Sequence, residues 1–316
     1  MKDEETQKAL KILTRKEIGK MNRRDFLKAG AVVLGAAAVS RGADALTKGS
    51  LAEAAGPAPE YEIYALKYAG PFSSSVAMVF FNQEWDKTIE RNYYLWAIKG
   101  NDGVTVVDAG TSLSEQSKRK LKGYVNPVEA LARIGVNGSN VKRVIITHIH
   151  FDHVGGMEMF PQAFPQAKFY VQKKEFDFWI KSPLVKKMPF VGITDTLANK
   201  IVADMEGTDR LQLICGDQII LPGIELLLTP GHTLGLQSVA VNTAKGKAIV
   251  ASDCAHIARS FKEDNPSCLI MDMVGWLGSY EKLKAKASSI DLIFPGHDVK
   301  MLNDFPKVAE DVTRLA

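Results

Sequence analysis

The segment Thr147–Gly156 reads T-H-I-H-F-D-H-V-G-G and gathers His148, His150, Asp152 and His153 directly after the apolar run Val144-Ile145-Ile146. Three imidazoles and a carboxylate at this spacing suit a divalent transition metal, and no packing requirement asks for all four so close together. The chain holds six histidines, and half of them lie here. Three further segments share one pattern, an apolar stretch running into a short polar turn that carries a ligand-type residue. They are T-P-G-H-T with His232, S-D-C-A-H with Asp253 and His256, and P-G-H-D with His297. Glycines before His232 and His297 permit tight turns that aim an imidazole inward. A lone loop histidine is more often structural than a ligand. Five of the six histidines, all but His256, stand at ligand-type positions of these turns, which makes metal binding the reading for the set.

The elements that must carry these turns are mostly short strands. Strand-like runs are expected at Tyr61–Tyr68, Val76–Phe81, Tyr94–Lys99 and Val104–Asp108, the last two joined through Gly100-Asn101-Asp102-Gly103 as a hairpin. Asn126-Pro127 opens a helix that Gly135 closes. A buried strand then enters the histidine cluster, and Lys168–Gln172 forms another. The lysine-rich stretch Lys173–Met205 reads as helical with a solvated charged face. Strands resume at Leu211–Ile214, Gln218–Leu221, Ile224–Thr229, Ser238–Asn242 and Ala248–Ala251, before a helix at Leu277–Ala287 and a last strand at Leu292–Phe294. Strand pairs followed by helix in both halves give an α/β alternation, and loops at one sheet edge are where the ligand turns can converge.

The N-terminus reads as an export signal. Asn22-Arg23-Arg24-Asp25-Phe26-Leu27-Lys28 has the paired arginines of the twin-arginine pattern and precedes the mild Ala/Gly-rich run Ala29–Ser40. Ala43-Asp44-Ala45 is a small-residue cleavage site and Ala52-Glu53-Ala54 a second. Translation from Met21 would give a leader of more usual length. The expected organisation is a signal peptide over 1–45, a linker over 46–60 and one catalytic domain over 61–316. The protein would pass folded through the twin-arginine translocation machinery to the periplasm, with no stable membrane span in its mature form.

Residues 1–45 hold ten Lys and Arg against six Asp and Glu, which leaves thirty of each sign from residue 46 onward. The basic balance therefore belongs to the leader, and nucleic acid is excluded as a partner on composition. Cys215, Cys254 and Cys268 are odd in number and lack C-x-x-C spacing; they read as small buried residues, with a Cys215–Cys268 bridge as the alternative in an oxidising compartment.

Together, H-x-H-x-D-H, G-H-T, the isolated strand-end Asp and the final G-H resemble the metallo-β-lactamase superfamily from about Tyr61 to the C-terminus. The words T-H-I-H-F-D-H-V-G-G, T-P-G-H-T-L-G-L-Q-S, S-D-C-A-H and P-G-H-D look most like its N-acyl-homoserine lactone lactonase branch. The resemblance implies an α/β (α+β) fold, an αββα sandwich of two mixed sheets with helices on the outer faces. It also implies two divalent transition-metal ions, usually Zn2+. His148, His150 and His232 would hold the first ion, Asp152, His153 and His297 the second, and Asp253 would bridge them.

Two such ions sharing a hydroxide would provide a nucleophile at neutral pH and polarise an ester carbonyl. No G-x-S-x-G elbow competes for that role. The activity implied is lactone opening, with an N-acyl-homoserine lactone as the first substrate to consider and Asp152, Asp253 and His256 as catalytic residues. His256 departs from the branch, which carries a substrate-contacting tyrosine there, and keeps other lactones of the pyridoxolactonase type in view. Phe151 and His256 are expected in the substrate pocket, with the aromatic segment Phe80–Tyr94 as its wall. Thioester and β-lactam hydrolysis are the other hydrolytic readings. A di-iron redox protein of this fold carries Glu where this chain has His150, which argues against that class. A homodimer is compatible with the resemblance.

Overall fold

A computed structural model describes residues 59–316, so the expected signal peptide and most of the linker lie outside the described residues. The strands are β1 (Glu62–Ser75), β2 (Thr88–Gly100), β3 (Gly103–Val107), β4 (Val141–Ile145), β5 (Lys168–Gln172), β6 (Leu211–Ile214) and β7 (Gln218–Leu221). They continue as β8 (Ile224–Leu228), β9 (Gln237–Thr243), β10 (Gly246–Ser252), β11 (Ile293–Pro295), β12 (Lys307–Ala309) and β13 (Val312–Arg314). An eight-stranded sheet has the order β12-β13-β1-β2-β3-β4-β5-β6, and a five-stranded sheet the order β11-β10-β9-β8-β7. Both are mixed: β3 to β6 run parallel to one another and β10 runs parallel to β11, while the remaining pairs are antiparallel.

Period-2 alternation sorts the strand residues into layers. In β1 and β2, Ile63, Ala65, Tyr94, Trp96 and Ile98 face the second sheet, where they meet Leu226, Val239, Val241 and Val250. Their neighbours Leu66, Tyr68, Leu95 and Ala97 face outward and are covered by helical residues including Leu131, Phe160, Ala198 and Val202. On the far side, Leu227, Ala240, Ile249 and Ala251 pack against Trp276, Tyr280 and Leu283 of the helix Met273–Lys286. Three apolar cores separate four layers, which is the expected αββα sandwich.

Several local expectations need correction. Val76–Phe81 is not a strand: β1 extends to Ser75 and Val76–Val79 is a single helical turn. The apolar run there begins the reversal from β1 to β2, with Val76 N–H donating to Lys87 O (3.0 Å) across it. The helix Leu113–Arg119, capped by Ser112, and the strands β12 and β13 were not foreseen. The stretch Lys173–Met205 is broken into short helical turns before a true helix at Thr196–Asp204. Only Cys254 is buried; Cys215 and Cys268 are exposed free thiols, so no bridge joins them. Among the described residues no helix is long and apolar enough to cross a membrane.

The sandwich places its functional loops because parallel neighbours end at the same edge. The end of β3 is tied to the loop after β4 by Ala109 N–H donating to His153 O (2.8 Å) and Gly156 N–H to Gly110 O (3.1 Å). Gln237 on β9 crosses between sheets, its N–H donating to Thr147 O (2.9 Å) and its side-chain amide to Ile146 O (2.9 Å). The approach at Gly156 is so close that an added Cβ would lie 1.9 Å from Ala109 O. Gly156→Ala is therefore expected to cost about 1–3 kcal/mol of stability, measured by denaturant unfolding. An unchanged midpoint would contradict this account of the loop.

Candidate metal centre

The six histidines and the carboxylates of Asp152 and Asp253 are all buried and meet at the edge where the strands end. His148, His150, Asp152 and His153 follow β4, His232 follows β8, Asp253 and His256 follow β10, and His297 follows β11. Four groups of donor atoms stand close enough to share an ion: His148 with His150 and His232, His148 with His153 and Asp253, Asp152 with His153 and His297, and His232 with Asp253 and His256. Asp253 sits centrally. Its carboxylate oxygens lie 3.0 Å from His297 Nε2, 3.3 Å from His256 Nε2, 3.4 Å from His153 Nε2 and 3.5 Å from His232 Nε2.

The outward nitrogens are held by acceptors that set each ring's tautomer. Nδ1 of His153 meets Asp108 Oδ2 at 2.8 Å, Nδ1 of His232 meets Leu269 O at 2.9 Å, and Nδ1 of His297 meets Asn92 O at 2.8 Å. An N–H spent on such an acceptor leaves the Nε2 lone pair facing inward. His150 is turned the other way, its Nδ1 lying 2.9 Å from His232 Nε2. The Gly231 turn that delivers His232 has φ +149° and presses on Trp276, where an added Cβ would come within 2.3 Å of the Trp276 side chain. Only glycine fits both constraints.

Burial, reinforced by neighbouring imidazoles, holds His148 and His150 well below the ordinary histidine range, and burial likewise holds His256 well below it and lowers His232. Burial would lower His153 too, but the carboxylates of Asp253, Asp152 and Asp108 raise it well above that range. Burial would raise Asp253, yet the His297, His256 and His153 rings hold it well below the usual carboxylate range. Burial thus disfavours a proton on His148, His150, His232 and His256 while Asp253 stays ionised beside them, a pocket whose lone pairs and negative charge suit cations. His148 Nε2, His153 Nε2 and Asp253 Oδ1 are buried with no hydrogen-bond partner among the described residues. Such orphaned donors are costly unless something binds them, and imidazole with carboxylate is the donor chemistry of zinc-type divalent ions. The residues fit.

Residues 89–297 match the Metallo-beta-lactamase superfamily. The chain belongs to that superfamily. Similar curated proteins include an N-acyl homoserine lactonase from Bacillus sp., 28% identical over 193 residues that cover 60% of this chain and 69% of that protein. Another from Bacillus cereus is 25% identical over 224 residues, 66% of this chain and 81% of that protein. Among solved structures, a quorum-quenching N-acyl homoserine lactone lactonase superposes with a TM-score of 0.62 at 21% identity, covering 79% of this chain and 96% of that one. Residues 20–40 match the twin-arginine translocation pathway signal sequence, so the chain carries an export signal.

Within this superfamily fold, two buried carboxylates that the sequence reading missed hold the donor loops. Asp108, with φ +63°, accepts from Thr147 N–H (2.7 Å), from Thr147 Oγ1 (2.9 Å) and from His153 Nδ1 (2.8 Å). It closes β3 as Val107-Asp108-Ala109-Gly110, the same apolar-run-into-polar-turn pattern as the ligand turns, so its signal was present. Glu175 accepts from Ile149 N–H (2.9 Å), Thr233 Oγ1 (2.7 Å) and Gly235 N–H (2.9 Å), tying the His148–His150 loop to the His232 loop. Burial pushes its carboxyl up to about 7 despite these three donors. Glu175 lay hidden among lysines, where its charge read as solvated.

Phe151 and His256 both line a cavity of about 230 Å³ whose wall also carries His150, Asp152, His232, Asp253 and His297. An adjoining cleft of about 400 Å³ shares His150, His232, Ile193 and Leu269 with it and adds Trp179, Phe190 and Met271. The expected wall at Phe80–Tyr94 is largely incorrect. Phe80 is buried and Trp85 stands 71% exposed, leaving Tyr93 as the aromatic residue of that segment in the cavity. The apolar wall comes instead from Lys173–Met205, which irregular turns fold over the site. Asp108→Ala is expected to weaken metal binding about 10–100-fold in chelator competition, because His153 and Thr147 lose their shared acceptor. Unaltered affinity would contradict that positioning role.

Proposed function

We propose that this metal-dependent hydrolase opens lactone rings in the periplasm, with an N-acyl-homoserine lactone as the reference substrate. The observation that carries the reading is the apolar cleft that opens directly onto the donor cluster, with space beside the donors for an ester and, along Trp179, Phe190 and Met271, for an acyl chain. The name of the relatives, N-acyl homoserine lactonase, supports the substrate class. The export signal supports the compartment, reached through the twin-arginine machinery.

His148, His150 and His232 would hold one divalent ion, and Asp152, His153 and His297 the other, with Asp253 between them; zinc suits this donor set. When bound, such a pair supplies a nucleophile from water near neutral pH and an electrophile for the ester carbonyl. The chain's own residues then orient and move protons. Phe151 and the cleft wall hold the lactone and keep bulk water from its ring. Nε2 is the ring nitrogen of His256 that faces Asp253 and the site, so it is the one able to donate to the ester's carbonyl oxygen. Asp152 lines the same cavity and would take a proton from water and return it to the leaving alkoxide. Water adds to the acyl carbon, the ring C–O bond breaks, and a hydroxy acid leaves.

Proton release at near-neutral pH over homoserine lactones, other γ- and δ-lactones, a thioester and a β-lactam tests the class. Lactones are expected to turn over best; inert lactones beside a rapidly cleaved thioester or β-lactam would overturn the reading. His256→Phe is expected to lower kcat for the best lactone about 100-fold while metal content stays constant. Unchanged kcat and KM would remove His256 from catalysis.

A further inference from the structure

The cavity beside the donor cluster is also lined by two guanidinium groups, Arg91 and Arg119, whose situations differ. Arg119 is occupied. Its Nε pairs with Glu115 Oε2 at 2.7 Å, its Nη2 donates to Gly192 O, and its plane lies 3.5 Å over the Phe151 ring. Arg91 bonds only the hydroxyl of Ser74, through Nε at 3.0 Å and Nη2 at 2.8 Å. No carboxylate among the described residues forms an ion pair with it. A guanidinium carries five N–H donors, so the edge formed by Nη1 and the second Nη2 hydrogen is left open.

That edge is held in place. Arg91 lies on β2 opposite Phe72 of β1, and Ser74 lies on the same strand pair opposite Ile89. Arg91 lines the same cavity as Tyr93 and His256, residues of separate segments that flank the donors. A solvated surface arginine would have no such fixed seat beside the reacting atoms. An open guanidinium fork matches a carboxylate in plane and charge, and it makes the strongest class of protein hydrogen bond. A neutral acyl-homoserine lactone would leave this fork unanswered while removing part of its water.

Resting on the lactonase reading, we propose that the preferred lactone carries an additional anionic group, a carboxylate, that docks on Arg91 while the ester lies over the donor cluster. Charge on the substituent, more than acyl length, then selects among lactones.

The test compares a γ-lactone bearing a carboxylate on a short substituent with its neutral carboxamide isostere, and the two corresponding lactams as non-hydrolysable ligands in calorimetry. The metal-loaded wild-type protein is expected to favour the carboxylate by about 10–100-fold in both kcat/KM and lactam affinity. Arg91→Met is expected to bring the charged and neutral compounds within about threefold of each other, and Arg91→Lys, which keeps the charge without the fork, to fall between. Equal turnover of both lactones together with equal binding of both lactams by wild type would overturn the anionic preference and leave lactonase activity standing. A carboxylate preference that survives in Arg91→Met would overturn the role of Arg91. If neither lactone turns over while a thioester does, the lactonase reading fails and the inference falls with it.

Discussion

Asp253 is the constraint on which the rest of the structure depends. A carboxylate buried at the edge of two sheets, with Nε2 atoms of His297, His256, His153 and His232 within 3.0–3.5 Å, cannot be neutralised by water and is not satisfied by hydrogen bonds alone. Its Oδ1 and the inward nitrogens of His148 and His153 have no partner among the described residues. A protein interior tolerates such a cluster when cations complete it. The fold is the device that keeps these donors converging in spite of their mutual repulsion.

It does so by two means. The parallel strands β3 to β5 and the parallel pair β10 and β11, with β8 two strands from β10 across β9, deliver the loops to one edge, and the outer atoms of the loops are locked by groups that face away from the donor cluster. Asp108, Glu175 and Gln237, together with the carbonyls of Asn92 and Leu269, fix ring orientation and loop spacing from behind. The proposed substrate contacts lie beside the donors, at Arg91, Tyr93, Phe151 and the apolar turns around Trp179 and Phe190. Binding of metal and choice of substrate can therefore vary separately on the same sandwich.

The donor turns were legible in the sequence because each is a local word: an apolar run, a short turn and a histidine or aspartate, with glycine where the backbone must bend. The alternation of β1, β2 and β8 to β10 was legible for the same reason, since period 2 is a local property. Residues that act through distant partners were not. Glu175 bonds Gly235 across 60 positions. The openness of Arg91 depends on which acids the fold keeps away from it. The strands β12 and β13 are only three residues each and exist by pairing, β13 with β1 and β12 with β13. Lys173–Met205 looked like a solvated helix by its charge, yet its apolar residues, spaced irregularly, supply the cleft wall.

The central claim is that the buried cluster is a two-ion centre. Elemental analysis of the purified exported protein, with the positions located by anomalous scattering, tests it most directly. The account predicts two transition-metal ions per chain, one among His148, His150 and His232 and one among Asp152, His153 and His297, with Asp253 touching both. A fully folded and active protein with no bound metal, or with a single ion and the second donor set empty, would contradict it.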